Sequence, residues 1–302
     1  MTQLLERLKK KLEQIEFSAK ILAQESKQEQ KKSILRSAAV VCATCSGVAM
    51  NRNLVPVSMF DSVIIEEAAK VLESECIYAF SKNLKRLVLV GDDQQMRSLV
   101  HEKKLKSFSD FDQSLLARLQ RLGVPSIQLD QQTRARSSIA DLYRWRYTNL
   151  RDHWTSHNIQ EISNLPSSAL AIHVKGNKSK GESNSAECSR ILLFLEQLSA
   201  AGVKNEDITI LSPYKKQKEF IRKRVSSRIQ VCTVDEYQGK ENDVVLVSMA
   251  FSGSRPSAFL CDERRVNVLT SRSKKLFVLF ANLSALAQSP VWEPILTKLH
   301  QI

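Results

Sequence analysis

Short β-rich runs alternate with helix-length segments along most of this chain, and that alternation limits the fold more than any other feature. The runs are Ala38–Ala43, Ser62–Ile65, Arg86–Val90, Ser126–Leu129, Leu170–Val174, Asp207–Leu211, Ile229–Val234, Asp243–Met249 and Leu276–Ala281. Helix-length segments lie between several of them, including Ala68–Phe80, Ser185–Ala200 and Lys215–Ser226. Continuous apolar runs of this size suit strands covered on both faces, and strand–helix–strand connections close as parallel pairs. The expected fold class is therefore α/β, with parallel sheets covered by helices. In such sheets ligands collect beyond the carboxyl ends of the strands, so polar residues just after a strand are the candidates for function.

The 302 residues provide material for one large domain or two ordinary ones. Residues 1–36 read as a basic amphipathic helix, because Leu5, Leu8, Leu12, Ile15, Ala19 and Leu22 recur at spacings of three and four. The rest is expected to divide near Gly123-Val124-Pro125 into residues 37–123 and 124–302, and Lys175–Asn184 is the most loop-like stretch. The longest apolar runs, such as Val244–Val247, are too short to span a bilayer. The first thirty residues are rich in Lys and Gln and carry no apolar signal core. Six scattered cysteines fit reduced thiols in an intracellular compartment. Cys42-Ala43-Thr44-Cys45 has the spacing of half a zinc site, but the only spaced histidine pair, His153 and His157, lies over a hundred residues away. Cys42 is accordingly read as strand core. Lys plus Arg outnumber acids by 45 to 32, a formal charge of +13. That balance points to a polyanion, most commonly nucleic acid, with solubility as the alternative reading.

Four clusters at strand ends carry candidate chemistry. Val63-Ile64-Ile65-Glu66-Glu67 delivers two adjacent carboxylates, one able to hold Mg²⁺ through water and the other to deprotonate an attacking water. Surface acids opening a helix explain the pair equally well. In Val90-Gly91-Asp92-Asp93-Gln94-Gln95, glycine permits a tight turn and the polar residues could sense a phosphate. Gln132-Thr133-Arg134-Ala135-Arg136 and the joined segments Thr233–Glu241 and Arg264–Arg272 bring arginines, whose fixed fork suits a transferring phosphoryl group.

Acid pair, Gly-Asp-x-x-Gln, Gln-x-Arg, Asp-x-x-Gln-Gly-x-Glu and Arg-x-Asn-x-x-x-x-Arg stand in the order found in superfamily 1 helicases. From about Ala38 to Asn282 the chain resembles the up-frameshift-like branch of that superfamily, which includes senataxin. The Glu-Glu-Ala-Ala form of the acid pair and the run Gln132–Ile139 look most like the Aquarius and NFX-type zinc-finger helicases. The resemblance implies two RecA-like domains of the P-loop NTPase fold, preceded by the N-terminal helix, with ATP and Mg²⁺ bound in a cleft between them. By position, Glu66 takes the Mg²⁺-side acid, Glu67 the catalytic base and Gln95 the γ-phosphate sensor. Arg134 and Arg272 become the arginine fingers, while Gln132, Asp235, Gln238, Gly239, Glu241 and Arg265 fall on the nucleotide side. Thr44, Ser46, Gly47, Ser212, Pro213, Tyr214 and Thr233 are implied to contact a single nucleic-acid strand, RNA favoured over DNA. The implied location is intracellular, nuclear with the cytoplasm as alternative.

Three departures qualify that pattern. Glu66 stands where an aspartate is common, and Thr133 replaces the tyrosine that normally stacks on adenine. A Gly-x-x-x-x-Gly-Lys-Ser/Thr loop occurs nowhere in these residues. The first domain is therefore expected to be incomplete, without its opening strand and phosphate loop, in a truncated or degenerate copy. By itself such a chain should bind ATP poorly and hydrolyse little. The rival readings are a non-catalytic nucleic-acid-binding remnant and a scaffold that docks a protein partner through residues 1–36.

Overall fold

Leu276, Val278 and Phe280 alternate with Phe277, Leu279 and Ala281, and all six are fully buried. Alternating side chains of a strand face opposite ways, so this run must be covered on both sides. The computed structural model describes residues 11, 27–98, 100, 102–175, 183–251 and 253–302. In it that run lies in a nine-residue strand near the middle of a parallel sheet. The apolar seam from Leu5 to Leu22 lies outside the described residues, although residues 27–37 are helical (α1).

The chain forms two compact units, residues 1–92 with 97–124, and residues 93–96 with 125–302. In the first, α2 (Cys45–Met50) precedes β1 (Ser62–Ile65), α3 (Glu73–Cys76) and β2 (Arg86–Leu89). Helices α4 (Lys103–Ser109) and α5 (Leu115–Arg121) complete it. β1 and β2 pair in parallel, Ser62 opposite Arg86 and Ile65 opposite Leu89. Ile65, Ala68, Ala69, Cys76, Leu115 and Leu116 form the core of this unit. The opposite face of the pair exposes Ile64 by 72%.

The second unit opens with β3 (Gln131–Gln132), α6 (Ser137–Ala140) and β4 (Arg151–Asp152), a small parallel pair with its own helix. Then come β5 (Ala169–His173), α7 (Ser185–Ala200), β6 (Ile208–Ser212), α8 (Lys215–Arg222), β7 (Gln230–Thr233) and β8 (Asn242–Ser248). The unit ends with α9 (Glu263–Thr270), β9 (Ser273–Ala281), α10 (Leu283–Leu286), α11 (Glu293–Leu296) and β10 (His300–Gln301). Six strands form one all-parallel sheet in the order β10-β5-β9-β8-β6-β7. One face packs Phe277, Leu279, Val245 and Val247 against Leu269, Trp292 and Ile139. The other packs Leu276, Val278, Leu246 and Ile210 against Ile191, Phe194, Leu198 and Ile221. Truncating any of these large side chains to Ala is worth roughly 2–5 kcal/mol. The expected α/β class with helix-covered parallel sheets is what the chain forms.

Four local expectations are corrected. Ala38–Ala43 is irregular rather than a strand, and Cys42 is exposed rather than core. Ser126–Leu129 is likewise irregular, with Ile127 94% exposed. In both runs β-branched residues (Val40, Val41 and Ile127) raise strand propensity, but among the described residues no strand pairs with them. Ala68–Phe80 is not one helix but two 3₁₀ turns, Ala68–Lys70 and Ile77–Ala79, around α3.

Candidate functional site

In the first unit the acid pair follows β1 directly. Glu66 and Glu67 are exposed while Ala68 and Ala69 beside them are buried. Glu67 takes a left-handed backbone, φ 53° and ψ 34°, which a non-glycine residue adopts only when its surroundings impose it. The imposing contacts come from β2: the Val90 amide donates to the Ile65 carbonyl at 2.9 Å, and the Ala68 amide to the Val90 carbonyl at 2.8 Å. Gly91 permits that closeness. A Cβ there would stand 2.7 Å from the Ala69 nitrogen and 3.0 Å from that of Ala68, so the two strand-end turns meet only over glycine.

Elsewhere in this unit Thr44 caps α2, its hydroxyl accepting from the Gly47 amide at 2.9 Å. A Cβ on Gly47 would approach that hydroxyl to 2.8 Å. Thr44 and Ser46 are exposed at the start of the helix.

In the second unit several of the expected site residues meet around one turn, at Ser271 between α9 and β9. Arg272 is 1% exposed, and its Nε donates to the Val268 carbonyl at 3.1 Å. Its Nη2 donates to the Ser271 hydroxyl at 2.8 Å and to Gln95 Oε1 at 3.2 Å. Its Nη1 reaches the Lys240 carbonyl at 3.5 Å. Gly239, at φ 79°, supplies the left-handed turn just before Lys240. Arg134 donates to the Ser271 carbonyl at 3.1 Å and to Glu241, which also pairs with Lys274 at 2.9 Å. Burial pushes the Glu241 carboxyl upward, but the bonds and charges of Lys274 and Arg134 outweigh it and hold the group below the usual carboxylate range.

The segment Asp93–Gln95 belongs to this unit, and α9 holds it. Arg264 Nε donates to the Asp93 carbonyl at 3.3 Å, and Asn267 Nδ2 to the Gln94 carbonyl at 3.1 Å. Spaced three apart, these two share one face of the helix. Arg146 adds a bond to Gln94 Oε1 at 2.8 Å. The structure thus brings together Gln95, Arg134, Glu241 and Arg272, which stand far apart in sequence.

Other expected site residues have different company. Gln132 is buried and spends its amide on its own loop: Nε2 donates to the Ala135 carbonyl at 2.9 Å and to Asp152 at 2.6 Å, and Oε1 accepts from the Ala135 amide at 2.9 Å. Arg265 lies 3.9 Å over the Phe259 ring and 3.4 Å from Asp235. Phe259 in turn stands 5.6 Å from Tyr214, centroid to centroid. Gln238 has a buried Oε1 without a hydrogen-bond partner. Ser212 and Pro213 are buried, so Tyr214 is the member of that trio reaching the surface. Thr233 and Glu236 cap each other reciprocally, at 2.9 and 3.3 Å. The Thr233 hydroxyl accepts that second bond in closing a turn, and the Thr-x-x-Glu spacing was the available signal.

Sequence reasoning assigned no role to Ser271, Lys274 or Phe259, whose contacts with Arg134, Glu241 and Arg265 only the fold makes. It also missed a buried polar network around Glu187 in α7. Ser248 Oγ donates to Glu187 Oε2 at 2.6 Å, the Ala250 amide to the same oxygen at 2.8 Å, and Asn184 Nδ2 to Oε1 at 3.1 Å. Gln217 from α8 donates to Ser248 Oγ at 2.8 Å. Burial raises the Glu187 carboxyl to about 7 against the lowering effect of these donors. Among the described residues no three His, Cys, Asp or Glu cluster to hold a metal, and no helix is long and apolar enough to cross a membrane.

Parallel sheets whose strand-end loops concentrate acids in one unit and arginines in the other define a class, the α/β proteins built around helicase motifs. AAA-domain models match residues 1–103 and 111–284. The chain belongs to the AAA-domain helicases of superfamily 1, in the up-frameshift-like branch. It is 30% identical to RNA helicase aquarius of Mus musculus, over 89% of this chain and 20% of that protein. To NFX1-type zinc finger-containing protein 1 of Mus musculus it is 31% identical, over 89% of this chain and 15% of that one. Its identity to ATP-dependent helicase NAM7 of Saccharomyces cerevisiae is 28%, over 87% and 29%. The chain therefore spans less than a third of the length of each of these relatives.

Proposed function

We propose that this chain is the acid- and arginine-bearing part of an ATP-dependent motor that acts on single-stranded RNA, with domains at 37–123 and 124–302. The observation that carries the reading is the convergence of Arg134, Arg272, Glu241 and Gln95 on the turn at Ser271. The partly exposed Arg134, with Lys274 on the same Glu241 carboxylate and the buried Arg272 bracing the turn, suits an anion whose charge redistributes during reaction. The acid pair fits the metal. Mg²⁺ keeps most of its water and takes one or two carboxylates, so two adjacent exposed acids serve without a larger protein cage. ATP with Mg²⁺ supplies the free energy of phosphoryl transfer when bound.

The chain's own residues have distinct tasks in this reading. Glu66 accepts hydrogen bonds from metal-bound water, and Glu67 accepts the proton of an attacking water. Arg134 exchanges Glu241 for phosphate oxygens, while Arg272, already bonded to Gln95, reports on the nucleotide through the segment Asp93–Gln95. Gln132 acts indirectly, by holding the loop that carries Arg134. Asp235, Gln238, Gly239 and Arg265 shape the turn beyond β7. On the nucleic-acid side stand Thr44, Ser46, Gly47 and Tyr214, whose hydroxyls and backbone suit phosphate contacts that track a strand without reading bases. The name RNA helicase aquarius supports RNA as the strand, and the formal charge of +13 supports a polyanion; the setting in this reading is intracellular and nuclear.

Because no Gly-x-x-x-x-Gly-Lys-Ser/Thr loop occurs in these residues, the 302-residue chain is expected to bind oligo(U) but hydrolyse little ATP. In a form carrying such a loop ahead of residue 1, Glu67→Gln and Arg134→Ala should each lower RNA-stimulated turnover by about 10²-fold or more and leave RNA affinity within about twofold. Turnover that survives both changes removes the assigned roles. Failure to bind any nucleic acid removes the motor reading itself.

A further inference from the structure

A basic groove on the second unit lies outside every motif considered so far. About 600 Å³ in volume, it is lined by Ser183, Lys215, Lys216, Glu219, Phe220, Lys223 and Arg224. Four of its side chains are cationic, and all four are exposed. Lys215 and Lys223 have no carboxylate within ion-pair distance among the described residues, and Glu219 faces Lys218 at 3.7 Å. Arg224 stacks 3.6 Å over the Phe220 ring and donates to the Phe220 carbonyl at 2.7 Å. That stacking holds one guanidinium at a fixed place in the groove.

Along α8 the groove starts one residue after Tyr214. Tyr214 is the N-cap of α8, and Lys215 is the first residue of that helix. On its other side Tyr214 meets Phe259, over which Arg265 lies. The stacked Tyr214, Phe259 and Arg265 thus stand at the N-terminal end of α8, along which the groove's Lys215, Lys216 and Lys223 follow. Nucleic acid matches that order, since bases stack on aromatic rings while phosphates pair with lysines. An acidic peptide would use the charges but would have no need of the ring platform. From Lys215 to Lys223 the helical rise is about 12 Å, room for a few nucleotides.

We propose that the α8 groove is a second binding segment for single-stranded nucleic acid, extending the strand's path beyond Tyr214 and adding affinity that a short strand cannot use. The proposal rests on the nucleic-acid reading above, and the test separates the two. The 302-residue chain and its triple variant Lys215→Gln, Lys216→Gln, Lys223→Gln are titrated with oligo(U) of about six and about twenty nucleotides across a range of salt. All three lysines are exposed, and an unchanged circular dichroism melt establishes that the variant is folded.

The expected result is an unchanged affinity for the short strand and an affinity for the long one about tenfold weaker, with the log–log salt slope reduced by about two. Equal long-strand binding by both proteins overturns the groove assignment and leaves the nucleic-acid reading standing. Parent chain that binds neither strand overturns both. If poly-glutamate binds the parent, not the variant, while RNA affinity stays unmoved, the groove takes an acidic protein and the proposal fails.

Discussion

Arg272 shows at residue scale how much a single position can carry: a nearly unexposed guanidinium bonds to two carbonyls, the Ser271 hydroxyl and Gln95. Its arginine character was legible from the motif, but its partners Lys240 and Gln95 were not, because they lie 32 and 177 residues away in sequence. Gly91 makes the same point for backbone. Gly91→Ala should place a methyl against the Ala69 nitrogen and cost about 1–3 kcal/mol, read as a lower urea midpoint. Glu187 makes a pH prediction. Its folded-state carboxyl is raised to about 7 from an ordinary 4.5, so the folded form favours the protonated acid. The stability it contributes is full below pH 4.5 and is lost as pH rises through 7, by up to about 3 kcal/mol. Glu187→Gln should flatten that part of the stability profile. A wild-type profile already flat between pH 4.5 and 7 disproves the assignment.

At the scale of elements, legibility followed burial. The strands at Ile208–Ser212, Asn242–Ser248 and Ser273–Ala281 were readable because apolar runs of that length need cover on both faces. Helix α7, Ser185–Ala200, was readable to the residue, with Asn184 as a capping signal whose side chain accepts from the Glu187 amide. Ala38–Ala43 and Ser126–Leu129 misled, since β-branched residues without a paired neighbour make no ladder. The 3₁₀ turn Asp235–Tyr237 depends on the Thr233–Glu236 box in front of it. Thr233→Ala should lower stability by about 1 kcal/mol while Thr233→Ser restores most of it, measured by chemical denaturation. Equal stability of the two variants would show that the hydroxyl does not cap.

For the molecule as a whole, two units with separate cores imply separable folding. All three tryptophans, Trp145, Trp154 and Trp292, lie in the second unit, and Trp292 is fully buried with its indole donating to the Leu260 carbonyl at 2.8 Å. A fragment of residues 125–302, nearly the whole of that unit, should therefore unfold in one cooperative transition, with a tryptophan-fluorescence midpoint close to that of the whole chain. A fragment without a cooperative transition would show that this core is not self-sufficient. Charge acts at this scale too. With a formal +13, strand binding by the whole chain should weaken steeply with salt, about 0.7 in log–log slope for each phosphate neutralised.

Periodicity along the sequence determined the α/β class and the parallel sheets, and the order of its motifs carried the helicase resemblance, because hydrophobic pattern and motif order are properties of the chain itself. Tertiary structure decided which polar residues meet: Ser271 and Lys274 beside the arginines, Phe259 between Arg265 and Tyr214, Gln132 turned inward and Glu187 enclosed. Those meetings depend on the order in which six strands lie side by side, which juxtaposes loops that chain distance keeps far apart.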